Sequence, residues 1–161
     1  MLQIRPARES DGPELVRIAR AVVEDGTTYT FAAETSDREL LDYWLAPGSA
    51  SFVACQGGRI VGCYVLRANQ QGRGGHVANA SYAVSPEARG QGVGHALGLH
   101  SLAEARGRGF QAMQFNFVVA SNERAIALWQ RLGFETVGRL PKAFAHPRLG
   151  LVDALVMHRF L

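Results

Sequence analysis

The sequence predicts a mixed α/β sheet with helices packed against it, and three observations carry that fold class. Apolar residues make up 47% of the chain and charged residues 19%, enough apolar material for a core and too little charge for a disordered tail or a coiled coil. Strand-like and helix-like segments follow one another in the order β-α-α-β-β-β-α-β-α-β-β, which one sheet accommodates economically. No repeat or linker interrupts them, and 161 residues suit a single domain spanning 1–161.

Leu2 to Pro6 reads as the first strand. Ser10-Asp11-Gly12-Pro13-Glu14 opens a helix with Leu15, Ile18, Ala19 and Val22 on one face. Ser36-Asp37-Arg38-Glu39 is a capping box for a second helix, expected to end at Pro47-Gly48. Phe52–Gln56 and Arg59–Arg67 form a hairpin about Gly57-Gly58. In such a hairpin Cys55 faces Ile60 and Cys63 faces Phe52, so the two cysteines are expected to be reduced and packed. Asn69 to Gly75 is a polar, Gly-rich loop. His76–Val84 is a strand, Val93 to about Arg106 a helix, and Ala112–Val119 a further strand. Gly94 and Gly98, one turn apart, are expected to let that helix sit close to the sheet. Asn122–Arg131 is a short helix, followed by strands at Glu135–Arg139 and Leu151–Phe160.

Charge is unevenly spread. Residues 1–43 hold nine acids and five bases, and residues 44–161 hold five acids and twelve bases. No basic run or basic–aromatic stripe accompanies the basic part, so nucleic acid is not an expected partner. No apolar run reaches membrane-spanning length and the N-terminus has no apolar leader core, which points to a cytoplasmic protein without a membrane partner. Cys and His do not occur at metal-ligand spacing, so no metal is expected.

Arg89-Gly90-Gln91-Gly92-Val93-Gly94 carries the clearest chemistry. It joins the His76–Val84 strand to the helix that starts at Val93. N–H groups at a helix start lack intrahelical partners and carry the positive end of the helix dipole. Glycine lets that backbone approach phosphate oxygens, and Arg89 adds a charged donor. His95 stands where a G-x-G-x-x-G fingerprint needs glycine, and no G-K-[ST] ending makes a P-loop. The cradle therefore suits a pyrophosphate outside both of those nucleotide classes.

With Asn122-Glu123-Arg124-Ala125-Ile126-Ala127-Leu128-Trp129-Gln130-Arg131-Leu132-Gly133-Phe134 about 30 residues downstream, this cradle resembles the paired motifs of the GNAT N-acetyltransferase superfamily. The resemblance implies a mostly antiparallel sheet of six to seven strands, helices on both faces, and a splay between the fourth and fifth strands. It implies acetyl-CoA as co-substrate, held by Arg89, Gly90, Gln91, Gly92, Val93 and Gly94, by the backbone of Tyr82 and Val84, and by Asn122. Val84 N–H is expected to polarise the thioester as an oxyanion donor. Homodimerisation is a further implication. The sequence departs from the family in two places: the His76–Val84 strand has no carboxylate to act as base, and Trp129 stands at the position of the usual tyrosine acid.

Asn79 and Asn116 lie amid apolar neighbours on the two strands that should splay. A buried amide must find partners, and a pair across the opening makes both residues candidates for organising the amine. A narrower resemblance, to the yeast-type azetidine-2-carboxylate N-acetyltransferases, rests on Asn79-Ala80, Ala88-Arg89-Gly90, Phe115-Asn116, Asn122, Trp129 and Leu132-Gly133-Phe134. It implies a small amino or imino acid as acceptor, with toxic proline analogues as the narrower class and detoxification as the role. Tyr29 and Phe31, between the first two helices, and His146, in an expected loop over Lys142–Arg148, are further acceptor-site candidates. Acetylation of a protein N-terminus or an aminoglycoside, and acyl-CoA binding without catalysis, stay open as alternatives.

Overall fold

A computed structural model describes residues 1–161. The strands are β1 (Gln3–Pro6), β2 (Ala50–Gln56), β3 (Arg59–Ala68), β4 (Val77–Val84), β5 (Ala112–Val119), β6 (Glu135–His146) and β7 (Gly150–Phe160). They form one sheet in the order β1-β2-β3-β4-β5-β7-β6. Every neighbouring pair is antiparallel except β4 and β5. The helices are α1 (Gly12–Asp25), α2 (Asp37–Trp44), α3 (Val93–Gly107) and α4 (Glu123–Arg131). None is long and apolar enough to cross a membrane.

Side-chain alternation along the strands divides the core in two. Val53, Cys63, Val65 and Ala83 face α1 and α2, meeting Leu15, Ile18, Val22, Leu40 and Trp44. Phe52, Tyr64, Leu66, Ala78, Ala80, Met113 and Phe115 face the opposite way and pack with Val93, Leu97, Leu102, Trp129 and Leu132. The sheet thus carries helices on both faces, in the arrangement expected of the seven-stranded fold.

Four local expectations change. The Gly57-Gly58 turn forms with φ of 57° and 78°, and Cys55 faces Ile60, but Cys63 faces Val53. The cause is a bulge at Ala54/Cys55, which leaves Val61 as the extra residue of β3. Both thiols are free, and burial pushes that of Cys63 up to about 12. The capping box of α2 forms as expected, with Ser36 N donating to Glu39 Oε2 at 2.7 Å, but the helix stops at Trp44. Pro47 disfavours helical geometry in the residue before it.

Gly94 and Gly98 do not set the distance from α3 to the sheet. A Cβ at Gly98 would lie 2.5 Å from Leu132 Cδ1, and one at Gly94 would lie 3.5 Å from Leu128 Cδ2 and 3.9 Å from Val84 Cγ2, so this face meets chiefly α4 and the segment that follows it and touches β4 only at Gly94. The close approach to the sheet occurs at Gly62, where a Cβ would meet Val93 and Leu97 at 3.0 and 3.1 Å. Finally, Lys142 to His146 continue β6. This edge strand tolerates Pro141 and a bulge between Leu140 and Phe144, with Lys142 at φ 50°.

Candidate active site

At the end of β4 the chain makes a short 3-10 turn, Pro86–Ala88, and enters α3 through Gly90 and Gly92. Both glycines have φ near +80°, at 80° and 81°, which side chains disfavour. Gly92 is the N-cap of α3 and supplies no side-chain cap, so the first-turn N–H groups remain for a ligand. Val93 is buried and offers only its backbone, whereas Gln91 turns away and donates to the Glu87 carbonyl at 2.8 Å. Arg89 is exposed, as are Arg124 and Arg131 on α4. All three line the adjoining cleft and none is in an ion pair. Three free cations beside an uncapped helix start fit the pyrophosphate and phosphate charges of CoA.

The cradle opens into a cleft of about 1110 Å³. It exists because β4 and β5 pair only at Val77–Ala112 and Ala78–Met113 before they part. Asn69 N donates to Val77 O at 2.8 Å, and Ser85 N to Val61 O at 2.9 Å. The odd-numbered residues of β4 are therefore those bonded to β3, and antiparallel alternation turns the N–H and C=O of Ala80, Tyr82 and Val84 toward the opening. Tyr29 Oη accepts from Tyr82 N at 2.8 Å and donates to Tyr82 O at 2.7 Å, tying the α1–α2 loop to this edge. Burial raises the pKa of Tyr29 well above that of an ordinary phenol, so it stays a neutral hydrogen-bonding group.

The side chain of Tyr82 points to the other face. Its hydroxyl is 2.7 Å from Ser101 Oγ, and burial raises its pKa as well. Its ring lies 4.7 Å from that of Trp129, which also packs on Phe115 and Phe134. Trp129 is 7% exposed and serves as a packing residue at the wall of the cleft. Asn122 caps α4 by accepting from Ala125 N at 3.3 Å, and it lines the cleft as well.

Asn79 and Asn116 meet through a residue that the sequence reading passed over. Asn69 Oδ1 accepts from Asn79 Nδ2 at 3.1 Å and from Asn116 Nδ2 at 2.7 Å, and Gln114 Nε2 donates to Asn116 Oδ1 at 2.9 Å. Beside this amide cluster Arg67 contacts Tyr43 and Ser81, which also line the cleft. β4 rises about 3.3 Å per residue, so Asn79 and Val84 stand about 16 Å apart and no small acceptor touches both. Tyr82, three residues from Asn79, carries the outward N–H nearer the amide cluster.

Two acceptor candidates lie outside the cleft lining. Phe31 stands behind it, stacked on Tyr29 at 5.7 Å and edge-on to Tyr43 at 5.1 Å. His146 is buried, and its Nδ1 accepts from Arg148 N and Leu149 N at 3.1 Å each, which closes the β6–β7 turn. Among cleft residues that the sequence did not single out as site candidates, Arg124 and Arg131 had a readable signal, a seven-residue spacing on one helix face. Arg67 had none, because the register that sets it opposite Asn79 joins β3 to β4 across a long loop. Asn69 had none either, because a loop asparagine looks like any other.

The cleft, its cradle and the single parallel pair define a splayed α/β fold with an anion cradle at a helix start. The model of the acetyltransferase (GNAT) family matches residues 17–134, and the chain belongs to that family. It is 36% identical over 84 residues to the N-acetyltransferase aca1 of Schizosaccharomyces pombe, covering 52% of this chain and 40% of that protein. The chain thus spans well under two thirds of that curated relative. Among solved structures, a GCN5-related N-acetyltransferase from Kribbella flavida is 41% identical with a TM-score of 0.96, over 99% of this chain and 98% of that one. A phosphinothricin acetyltransferase from Sinorhizobium meliloti, solved in complex with AcCoA, is 25% identical with a TM-score of 0.87, over 99% and 88% of the two chains.

Proposed function

We propose that this protein is an N-acetyltransferase that moves the acetyl group of acetyl-CoA to the amine of a small amino or imino acid, with proline analogues inside that class. The observation that carries the reading is one cleft lined at one end by the Arg89–Gly94 cradle and at the other by Asn79 and Asn116. The names of the relatives supply the reaction class, and the AcCoA complex of the Sinorhizobium meliloti protein supports the co-substrate.

Acetyl-CoA brings an activated acetyl group whose leaving thiolate has a conjugate acid of pKa about 8.5, by analogy with cysteine, so departure does not demand a strong acid. Arg89, Arg124 and the α3 N-terminus hold its phosphates. The outward N–H and C=O of Val84 take the amides of the pantetheine arm. In this reading Tyr82 N–H polarises the carbonyl after exchanging the Tyr29 hydroxyl for the thioester oxygen; this proposal moves the oxyanion role from Val84 to its neighbour two residues back. Asn69 takes the Nδ2 groups of Asn79 and Asn116, which leaves Asn79 Oδ1 to accept from the acceptor's N–H and aim its lone pair. The amine enters neutral, having lost its proton to solvent. Chemical balance is one amine proton released and one thiolate protonated per acetyl group moved.

A panel assay of thiol release from acetyl-CoA tests this, with azetidine-2-carboxylate, proline analogues, methionine sulfoximine, polyamines and an aminoglycoside. Turnover confined to amino or imino acids is expected. Turnover of only another amine class would overturn the acceptor assignment. Tight acetyl-CoA binding without turnover of any amine would favour a non-catalytic acyl-CoA-binding module, the reading motivated by the missing strand carboxylate and by Trp129. We expect a homodimer in solution, which sedimentation would check.

A further inference from the structure

Arg67 is a part-buried cation without an anionic partner. Arg5, Arg17, Arg20, Arg38, Arg108 and Arg139 each pair with a carboxylate, all of them at the surface or with an exposed face. Arg67 pairs with none. It is held by neutral groups: its guanidinium carbon lies 4.6 Å from the centre of the Tyr43 ring, and Nη2 donates to Tyr43 Oη at 2.8 Å and to Ser81 Oγ at 3.0 Å. Those two hydroxyls are themselves bonded at 2.6 Å. Both protein bonds of the guanidinium leave from Nη2, so the Nε and Nη1 donors are unspent. Hydroxyls give the guanidinium no counter-charge.

The surroundings say what would. Arg67 lines the acceptor end of the cleft and stands directly across from Asn79 in the β3–β4 register. The Cα atoms of a bonded antiparallel pair are about 5.5 Å apart, so one α-amino acid spans both side chains. A planar fork with free N–H groups matches a carboxylate in two-point contact. We infer that Arg67, braced by Tyr43 and Ser81, is the anchor for the acceptor's carboxylate, and that the preferred acceptor carries a carboxylate adjacent to its amine. The inference rests on the acetyltransferase reading in one respect: Asn79 places the amine while Arg67 holds the acid.

Binding and turnover separate the two. Azetidine-2-carboxylate, proline and methionine sulfoximine, each with its carboxamide counterpart, are titrated calorimetrically onto the protein saturated with CoA. The wild type is expected to bind at least one acid about 30-fold more tightly than its amide, the scale of hydrogen bonds to a charged group. In Arg67→Gln that ratio should fall to within about threefold while CoA affinity is unchanged, and Arg67→Lys should restore part of it. Ser81→Ala, which keeps the charge and the Tyr43 contact, should weaken acid binding about threefold and provides the check if Arg67→Gln does not fold. A wild type that binds no acid in preference to its amide, or a preference that survives in Arg67→Gln, overturns the anchor. An Arg67-dependent preference without acetyl transfer keeps the anchor and overturns the transferase reading. Transfer without preference does the reverse.

Discussion

The two ends of the cleft are built from different material. The end proposed for the donor is mainly backbone: an uncapped helix start, two glycines at positive φ, and the outward edge of β4, with arginines added around it. The end proposed for the acceptor is side chain: amides from β4, β5 and the loop after β3, with Tyr43 and Arg67 contributed by α2 and β3. A backbone site tolerates change in every side chain that does not alter chain path. A side-chain site alters with each substitution. Donor identity should therefore be robust in this fold, and acceptor identity easily changed.

The largest expected effect attacks the donor end alone. Arg89→Ala combined with Arg124→Ala should weaken acetyl-CoA binding about 100-fold, less at high salt where exposed charges are screened, with acceptor binding intact. Isothermal titration at two ionic strengths checks this. Equal loss at both ends would erase the distinction between them. Next in size, Asn69→Ala removes the acceptor of both Asn79 and Asn116 and should lower kcat/KM for the amine about 30-fold, with acetyl-CoA affinity unchanged.

Tyr29→Phe should sharpen the comparison by crossing it. Its hydroxyl joins the acceptor-side loop to the donor-side edge, so steady-state kinetics should show a loss of about fivefold in kcat/KM for both substrates. The smallest effect lies away from the cleft. Bidentate bonds from Arg5 at 2.8 and 2.9 Å hold the Asp11 carboxyl below its ordinary range. Its contribution is complete above about pH 3.9, the unfolded value, and is lost as the pH falls through the lower folded one. Asp11→Asn should cost about 1 kcal/mol at pH 7 and less at pH 2, read from urea unfolding, with both substrate affinities unchanged.

The same contrast explains what the sequence made legible. Arg89–Gly94 and Asn122–Phe134 are contiguous runs whose residue types follow from a chain path, so the candidate donor site could be proposed from them directly. Asn79 and Asn116 were legible as amides in apolar strands. Their link through Asn69 was not, because it depends on where a loop returns. The pairing of Cys63 slipped by one residue because a bulge leaves no mark in composition. Helical period showed that Gly94 and Gly98 share a face, but not that the face meets α4. His146 resembled a loop ligand because the extension of β6 past Pro141 lies on an edge, where the usual strand rules relax.

The two residue pairs that join β4 to β5 also bear on how the molecule comes together. On one side of that seam lie β1 to β4, drawn from residues 3–84; on the other lie β5, β7 and β6, drawn from residues 112–160. Each half-sheet is contiguous in the chain and consists of strands paired within its own half, yet the Gln3–Cys55 and Ala112–Phe160 pairings inside the halves close longer stretches of chain than the Val77–Ala112 seam between them. The cleft is the gap left by an incomplete joint between two successive halves of the chain, so whatever moves one half against the other changes its width.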